Sequence, residues 1–334
     1  MSVNFPFSAI VGQEQMKLAM ILTAIDPTIG GVLVFGDRGT GKSTAVRALA
    51  ALLPEISVIR DCPVNSEFAK DVPNWSANRV KEKRMRETPV VDLPLGVSED
   101  RVTGALDIER ALTKGEKAFQ PGLLAKANRG YLYIDEVNLL EDHIVDLLLD
   151  VAQSGENLVE REGLSIRHAA KFVLIGSGNP EEGELRPQLL DRFGLSVEVT
   201  SPTNIEDRIS VIERRDSFER NRKRFINKWK PEDKKIREGI LKARNNLKSI
   251  KTAKKILRDC ADLCLTLGAD GLRGELTLLR AGRALAAYEG ITSLERAHLK
   301  AIAPLALSHR LRRDPLDEAG SGTRVNRATA DILG

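Results

Sequence analysis

The sequence predicts an α/β fold, a parallel central sheet flanked by helices, followed by a C-terminal helical bundle. Three observations predict it. Short, continuously apolar segments that end in small, acidic or amide residues recur up to about Thr200: "GVLVFG", "YLYIDEVN" and "KFVLIGSGN". Strands of this kind fit a sheet covered on both faces. Helical patterns lie between them. From about Ser201 the strand signals stop and charged helical segments take over.

Each element has its own reason. Gln13–Ile25 carries apolar residues at helical spacing, and Asp26-Pro27 stops it. Gly31–Gly36 is an apolar strand ending in glycine. Ser43–Leu53 reads as a helix closed by Pro54. Tyr131–Asn138 and Lys171–Asn179 are two further strands. His143–Gly155 between them is an amphipathic helix with a glycine end. Helices are then expected over Asn204–Lys230, Pro231–Ser249, Lys251–Gly268, Leu272–Tyr288 and Leu294–His309. The tail from Arg312 is rich in Gly, Asp and Pro and is expected to be loosely held. Two domains follow: an α/β nucleotide-binding domain over 1–200 and a helical domain over 201–334.

The 334 residues are comfortable for two domains. No apolar run reaches the roughly 20 residues that cross a bilayer. The start, "MSVNFPFSAIVGQEQ", lacks the basic-then-apolar pattern of a secretory signal, so a cytoplasmic protein is expected. Cys62, Cys260 and Cys264 form neither a disulfide framework nor a zinc pattern. Cys260 and Cys264, one helical turn apart, read as a pair of reduced, half-buried thiols. His143, His168, His298 and His309 have no Cys or carboxylate at metal-ligand spacing and read as surface or packing residues. The net charge of +4 is mild, but Arg220–Lys255 is dense in Lys and Arg. That stretch reads either as a nucleic-acid surface or as a solvated helix face meeting water or an acidic partner. Its one Phe and one Trp are too few for base-stacking platforms, so a nucleic-acid partner is not expected.

"GDRGTGKS" matches G-x-x-x-x-G-K-[ST] from Gly36 to Ser43. Gly36, Asp37, Arg38, Gly39, Thr40, Gly41, Lys42, Ser43 and Thr44 would bind ATP. Glycines let successive N–H groups turn inward around phosphate oxygens. The helix that follows adds its positive end. Lys42 supplies a full charge, and Ser43 a hydroxyl for Mg²⁺. The context of strand before and helix after is the one that confirms the motif. "YLYIDE" supplies the second carboxylate source. Asp135 would hold Mg²⁺, and Glu136 would orient or deprotonate the attacking water. Asn179 is placed for the γ-phosphate or its water; otherwise it is a turn residue before Pro180. Arg192 could stabilise charge on a neighbouring subunit's γ-phosphate, or form a surface pair with Asp191. On spacing alone Arg273 reads as an ordinary solvated arginine.

Together the glycine turn, "IDE", "GSGNP", "LLDRF" and the helical region resemble the AAA+ ATPases across nearly the whole chain. The resemblance implies that "IVGQE" (Ile10–Glu14) lies beside adenine. It also implies that Asn179, Arg192 and Arg273 are the sensor-1, arginine-finger and sensor-2 residues. The chain departs from the plain pattern in two places. The stretch from Ser43 to Asp135 exceeds one βαβ step, with the excess over Val91–Gly130. "ENLVE" and "LSIRH" read as hairpin arms around "REG". Both insertions resemble the branch holding magnesium chelatases, MoxR-type chaperones and replicative helicases. Long runs such as "LPLGVSEDRVTGALDIERALTKGEKAFQPGLLAKANRG" and "HAAKFVLIGSGNPEEGELRPQLLDRFGL" are similar to the small ATPase subunits of the magnesium chelatases. That implies a Mg²⁺-dependent ATPase driving Mg²⁺ insertion into protoporphyrin IX. It implies a ring, a hexamer, formed with a related D subunit, and a porphyrin-carrying H subunit. A MoxR-like chaperone for another metalloenzyme shares these motifs and stays open here, as the alternative function.

Overall fold

The computed structural model describes residues 4–37, 39–76, 81–115, 117–161, 163–183, 185–269, 271–311 and 320–334. They cluster into two compact units. The first comprises the chain up to Leu52, Asn179–Glu181 and Leu185–Gly334; the second comprises Leu53–Gly178 with Glu182–Glu184.

The first unit opens with helix α1 (Glu14–Ile25), strand β1 (Gly31–Gly36) and helix α2 (Lys42–Leu52). The sequence of α1 is apolar on more than one face, and Met16 and Ala19–Ile25 are buried without a break. A helix apolar all round must be covered all round.

The second unit begins with β2 (Ile56–Ile59) and β3 (Lys83–Arg86), an antiparallel pair the sequence patterns did not reveal. There follow β4 (Val90–Leu93), α3 (Glu99–Thr103), β5 (Gly104–Leu106), α4 (Ile108–Lys114), β6 (Phe119–Pro121), α5 (Leu123–Ala127) and β7 (Tyr131–Ile134). Then come α6 (Asp142–Ser154), β8 (Glu156–Arg161), β9 (Leu164–Ala169) and β10 (Val173–Gly178). Strand β7 is parallel to both neighbours, pairing Tyr131 with Val173 and with Val90. Val91–Leu93, expected to open the first insertion, thus belongs to a sheet strand. The remaining insertion is α3, the antiparallel β5–β6 pair and α4. The expected hairpin is present as β8–β9, Glu156 opposite Ala169; Glu162 of its turn lies outside the described residues.

The two insertions are joined through buried polar and aromatic groups. Asn157 Nδ2 donates to the Thr103 carbonyl (2.8 Å) and to His168 Nε2 (3.0 Å). His168 Nδ1 donates to the Ala169 carbonyl (3.0 Å). Burial lowers the His168 pKa and keeps that ring neutral. Trp75 meets Phe119 edge-on, ring centroids 4.8 Å apart, with His168 at 6.0 Å.

Back in the first unit are α7 (Pro187–Leu190), β11 (Leu195–Val199), α8 (Ile205–Arg220), α9 (Arg222–Asn246), α10 (Lys254–Leu267), α11 (Arg273–Glu289), α12 (Arg296–Leu307) and α13 (Gly320–Leu333). β11 runs parallel to β1, Val32 beside Leu195 through Gly36 beside Val199. A Cβ at Gly36 would overlap the Val199 carbonyl, and φ there is 152°, so this strand end requires glycine. Helix α1 packs on β11, α9 and α11, and α12 packs on β11 and α13.

Two helical expectations are corrected. The break expected at Pro231 falls at Asn221, whose side chain accepts from the Arg224 N–H and caps α9; Pro231 sits inside α9. Proline normally bends a helix. Here the turns before it are pinned by Phe225 and Trp229 against Phe5 and Phe218. The tail expected to be loose carries α13, with Val325, Ala328 and Leu333 buried at helical spacing. Residues 312–319 of the tail lie outside the described residues.

The basic stretch has definite partners. Arg237 donates to the Ala51 carbonyl at the end of α2. Arg244 donates to Ala24 at the end of α1 (2.7 Å). These cations satisfy terminal carbonyls and complement the helix dipoles. Arg214 lies over the Trp229 ring, 4.7 Å from its centroid.

Candidate nucleotide site

The glycine turn leaves β1 at Gly36 and enters α2 at Lys42. Gly39 and Gly41 have φ of 80° and 83°, and nothing stands within 4 Å of where a side chain would begin. Lys42 Nζ donates to the carbonyls of Gly36 (2.5 Å) and Asp37 (2.9 Å). Thr40 Oγ1 donates to the Asp37 carbonyl (2.8 Å). The ammonium is thus held over its own loop, which is open on the glycine side. Arg38 lies outside the described residues.

Beside this loop is a cavity of about 590 Å³, lined by Gly39, Thr40, Gly41 and Thr44 on one side and by Ile10, Val11 and Gln13 on another. Pro202, Val211 and Ile212 add apolar wall, and Arg208, Arg214 and Arg215 add charge. Arg208 is braced on the Pro202 carbonyl (2.6 Å) and Arg214 on the Ala9 carbonyl (3.0 Å). An apolar wall next to an N–H-rich loop suits a base joined to phosphates. Ile10, Val11 and Gln13, from the segment Ile10–Glu14 expected beside adenine, thus share this cavity with the loop. The α8 residues of this wall were missed; their signal was apolar residues, Val211 and Ile212, inside a strongly charged helix.

In the second unit Asp135 and Glu136 follow β7. Tyr133 Oη donates to Asp135 Oδ1 (2.8 Å), and Ser177 Oγ donates to the same oxygen (2.5 Å). Ser177 Oγ also accepts from the Glu136 N–H (3.4 Å). Glu136 has φ 54°, an uncommon conformation for a residue with a side chain. Tyr133 and Ser177 were not singled out from sequence. Polar residues in otherwise apolar strands, each two residues before a candidate site residue, were the available signal.

Asn179 follows β10, is 7% exposed, and accepts from the Glu181 N–H through Oδ1 (3.1 Å). It therefore fills the turn role.

The arginines converge elsewhere in the first unit. Arg192 follows α7 and is half-buried. The residues on either side of it are tied down. Asp191 pairs with Arg273 at the start of α11 and with Arg310 Nη1 (2.5 Å). Phe193 is fully buried, and its carbonyl accepts from Arg310 Nη2 (2.9 Å) and His309 Nε2 (3.0 Å). A side chain at Gly194 would overlap the Ile29 carbonyl, which fixes the exit of the turn. Burial, helped by the Arg310 charge, drives the His309 pKa down to about 3. Burial also pulls the Arg310 guanidinium below its ordinary value, opposed by Asp191. Neither Arg192 nor Arg273 is among the residues lining the cavity. Among the described residues no group of three or more His, Cys, Asp or Glu could hold a metal ion by itself.

The three cysteines are buried, Cys260 and Cys264 deeper than the half-burial expected of that pair. Burial pushes the Cys260 and Cys264 thiols up to about 12.

A strand running into a glycine turn, a helix opened by its lysine, a strand ending in Asp-Glu and a helical C-terminal region define a P-loop ATPase of the AAA+ class. The chain belongs to the family described as "Magnesium chelatase, subunit ChlI", whose model matches residues 6–187. An "AAA lid domain" model matches residues 257–328. Over 333 residues the chain is 70% identical to the "Magnesium-chelatase 38 kDa subunit" of Cereibacter sphaeroides, covering 100% of both chains. It is 51% identical to "Magnesium-chelatase subunit ChlI" of a Nostoc species, covering 99% of this chain and 91% of that one. A cryo-EM-based structure of the complex between subunits BchI and BchD of magnesium chelatase contains a chain 63% identical, with TM-score 0.56 and coverage of 99% and 100%. A putative ATPase from Cytophaga hutchinsonii shares the fold at TM-score 0.67 and 16% identity, covering 98% of this chain and 92% of that one. Among the described residues no helix is long and apolar enough to cross a membrane.

Proposed function

We propose that this chain is the ATP-hydrolysing motor subunit of a magnesium chelatase, driving insertion of Mg²⁺ into protoporphyrin IX on the way to chlorophyll or bacteriochlorophyll. The observation that carries the reading is the Lys42 ammonium held over an open glycine loop beside an apolar cavity, in a chain 70% identical end to end to a magnesium-chelatase subunit. Gly36–Thr44 bind the ATP phosphates, and Ile10–Gln13 lie along the base. The Ser43 hydroxyl and the Asp135 carboxylate are each hard oxygen donors of the kind Mg²⁺ takes, and a bound Mg²⁺ would neutralise phosphate charge. Glu136 orients the attacking water, and Asn179 contacts the γ-phosphate. Arg192 reaches the nucleotide of a neighbouring subunit, and Arg273 reports the state of the nucleotide from the helical domain (201–334) to the α/β domain (1–200).

In this reading the chain assembles into a ring, a hexamer, with a D subunit, as the BchI–BchD complex suggests for its relatives. A separate H subunit brings the porphyrin, and a cytoplasmic setting fits the bacterial relatives.

ATP hydrolysis and metalloporphyrin formation are to be measured for the chain alone and with D and H subunits, using wild type, Lys42→Ala and Arg192→Ala. Hydrolysis alone, with chelation only in the full mixture and lost in both variants, is expected. Hydrolysis that never supports chelation would overturn the reading in favour of another client.

A further inference from the structure

His309 and Arg310 follow α12, far in sequence from the turn that carries Arg192, yet they hold both of its flanks. Arg310 Nη1 donates to Asp191 Oδ1 (2.5 Å) and Nη2 to the Phe193 carbonyl (2.9 Å). His309 Nε2 donates to that same carbonyl (3.0 Å). The Arg310 side chain is only 5% exposed, while its partner Asp191 is 42% exposed. A planar guanidinium with both arms engaged fixes position and angle together, which an ammonium cannot do. Arg273 takes the other Asp191 oxygen but belongs to the more exposed pair, 45% against 42%. The buried fork is therefore the fixed side of the clamp, and Arg273 is the side open to competition from an anionic ligand.

We propose that Arg310 is a positioning residue for Arg192: its fork holds Asp191 and Phe193 so that the arginine between them is presented in one orientation to the nucleotide of the next subunit. The proposal rests on the reading of Arg192 given above. Arg310 contacts no substrate in it. The cavity beside Lys42 is lined without Arg310, which sets the chain's own ATP-binding loop apart from the fork.

That separation makes the proposal testable by subunit mixing. Steady-state ATPase is measured for Arg310→Gln and Arg310→Lys, alone and mixed with Lys42→Ala or Arg192→Ala chains. Alone, Arg310→Gln should lose about 10- to 100-fold in kcat, with KM and binding of a fluorescent ATP analogue little changed. Arg310→Lys keeps the charge but not the fork, and should fall between. Lys42→Ala chains carry an intact arginine turn, so mixing them with Arg310→Gln should restore hydrolysis; Arg192→Ala chains should not. Wild-type kcat in Arg310→Gln would overturn the proposal, as would a loss that Lys42→Ala chains fail to restore. If Arg310→Gln does not fold, Arg310→Lys carries the same mixing test. A mixture of Arg192→Ala with Lys42→Ala is the control. Recovery there supports the trans role of Arg192 itself; no recovery overturns that reading, and the proposal with it.

Discussion

Asp191 and Arg273 form an ion pair that ties the turn before Arg192 to the first residue of α11. The carboxylate is shared, because Arg310 holds its other oxygen. The two halves differ in energy. The Arg273 half is partly exposed and screened, and such pairs contribute about 0–1 kcal/mol. The Arg310 half leaves a buried cation without its acid if broken, which costs about 3 kcal/mol or more.

Arg273→Ala should thus leave stability within about 1 kcal/mol of wild type, whereas Asp191→Ala should lower it by about 3 kcal/mol or more. Urea unfolding of the two variants checks this. Equal losses would show that the buried half of the clamp carries no special weight.

The pair Tyr133 and Ser177 orients Asp135 from behind. Ser177→Ala removes the 2.5 Å bond to Oδ1 and the acceptor of the Glu136 N–H together. Partners of a metal-holding group typically account for about 10- to 100-fold in affinity or activity. Ser177→Ala should therefore raise the Mg²⁺ concentration for half-maximal hydrolysis by about tenfold. Tyr133→Phe, which leaves the serine in place, should have the smaller effect. A Mg²⁺ titration of the ATPase distinguishes them.

Burial keeps His309 neutral, with its pKa lowered to about 3 against about 6.5 in an unfolded chain. Between those values the unfolded state binds a proton that the folded state does not. The contribution is fully present above pH 6.5 and is lost as pH falls towards 3. It steepens acid destabilisation by up to about 1.4 kcal/mol per pH unit. In His309→Gln the dependence of unfolding free energy on pH between 6 and 4 should be shallower by that amount. His168 acts in the same direction and remains in the variant.

Cys260 and Cys264 are buried thiols pushed up to about 12. Only the thiolate reacts. At pH 8 both should resist iodoacetamide in the folded protein and react readily in urea. Mass spectrometry of tryptic peptides reads the outcome; fast labelling of the native chain would contradict it.

Much of the nucleotide loop was legible because its logic is local. Gly36–Ser43 is a run with fixed spacing, and Asp135-Glu136 sits at a strand end that periodicity alone finds. Arg310 was not legible. Its partners Asp191 and Phe193 lie more than a hundred residues earlier in the chain (119 and 117), and only packing of α12 against β11 brings them together. The α8–α9 boundary was misplaced because Pro231 is a stronger local signal than Asn221, while the aromatic cluster around Phe225 decided the outcome. Composition misled at the tail: Asp and Pro just before α13, and Gly320 and Gly322 at its start, obscured the helical spacing of Val325, Ala328 and Leu333.

The link between the two insertions has a mechanical consequence. Asn157 is bonded at once to Thr103 at the end of one insertion's helix and to His168 on the facing arm of the hairpin. Neither protrusion is displaced by itself without stranding a buried polar group. They share one stiffness, and any compliance belongs to the chain segments at their roots rather than along their length. Whatever grips one protrusion therefore pulls on both, without backlash.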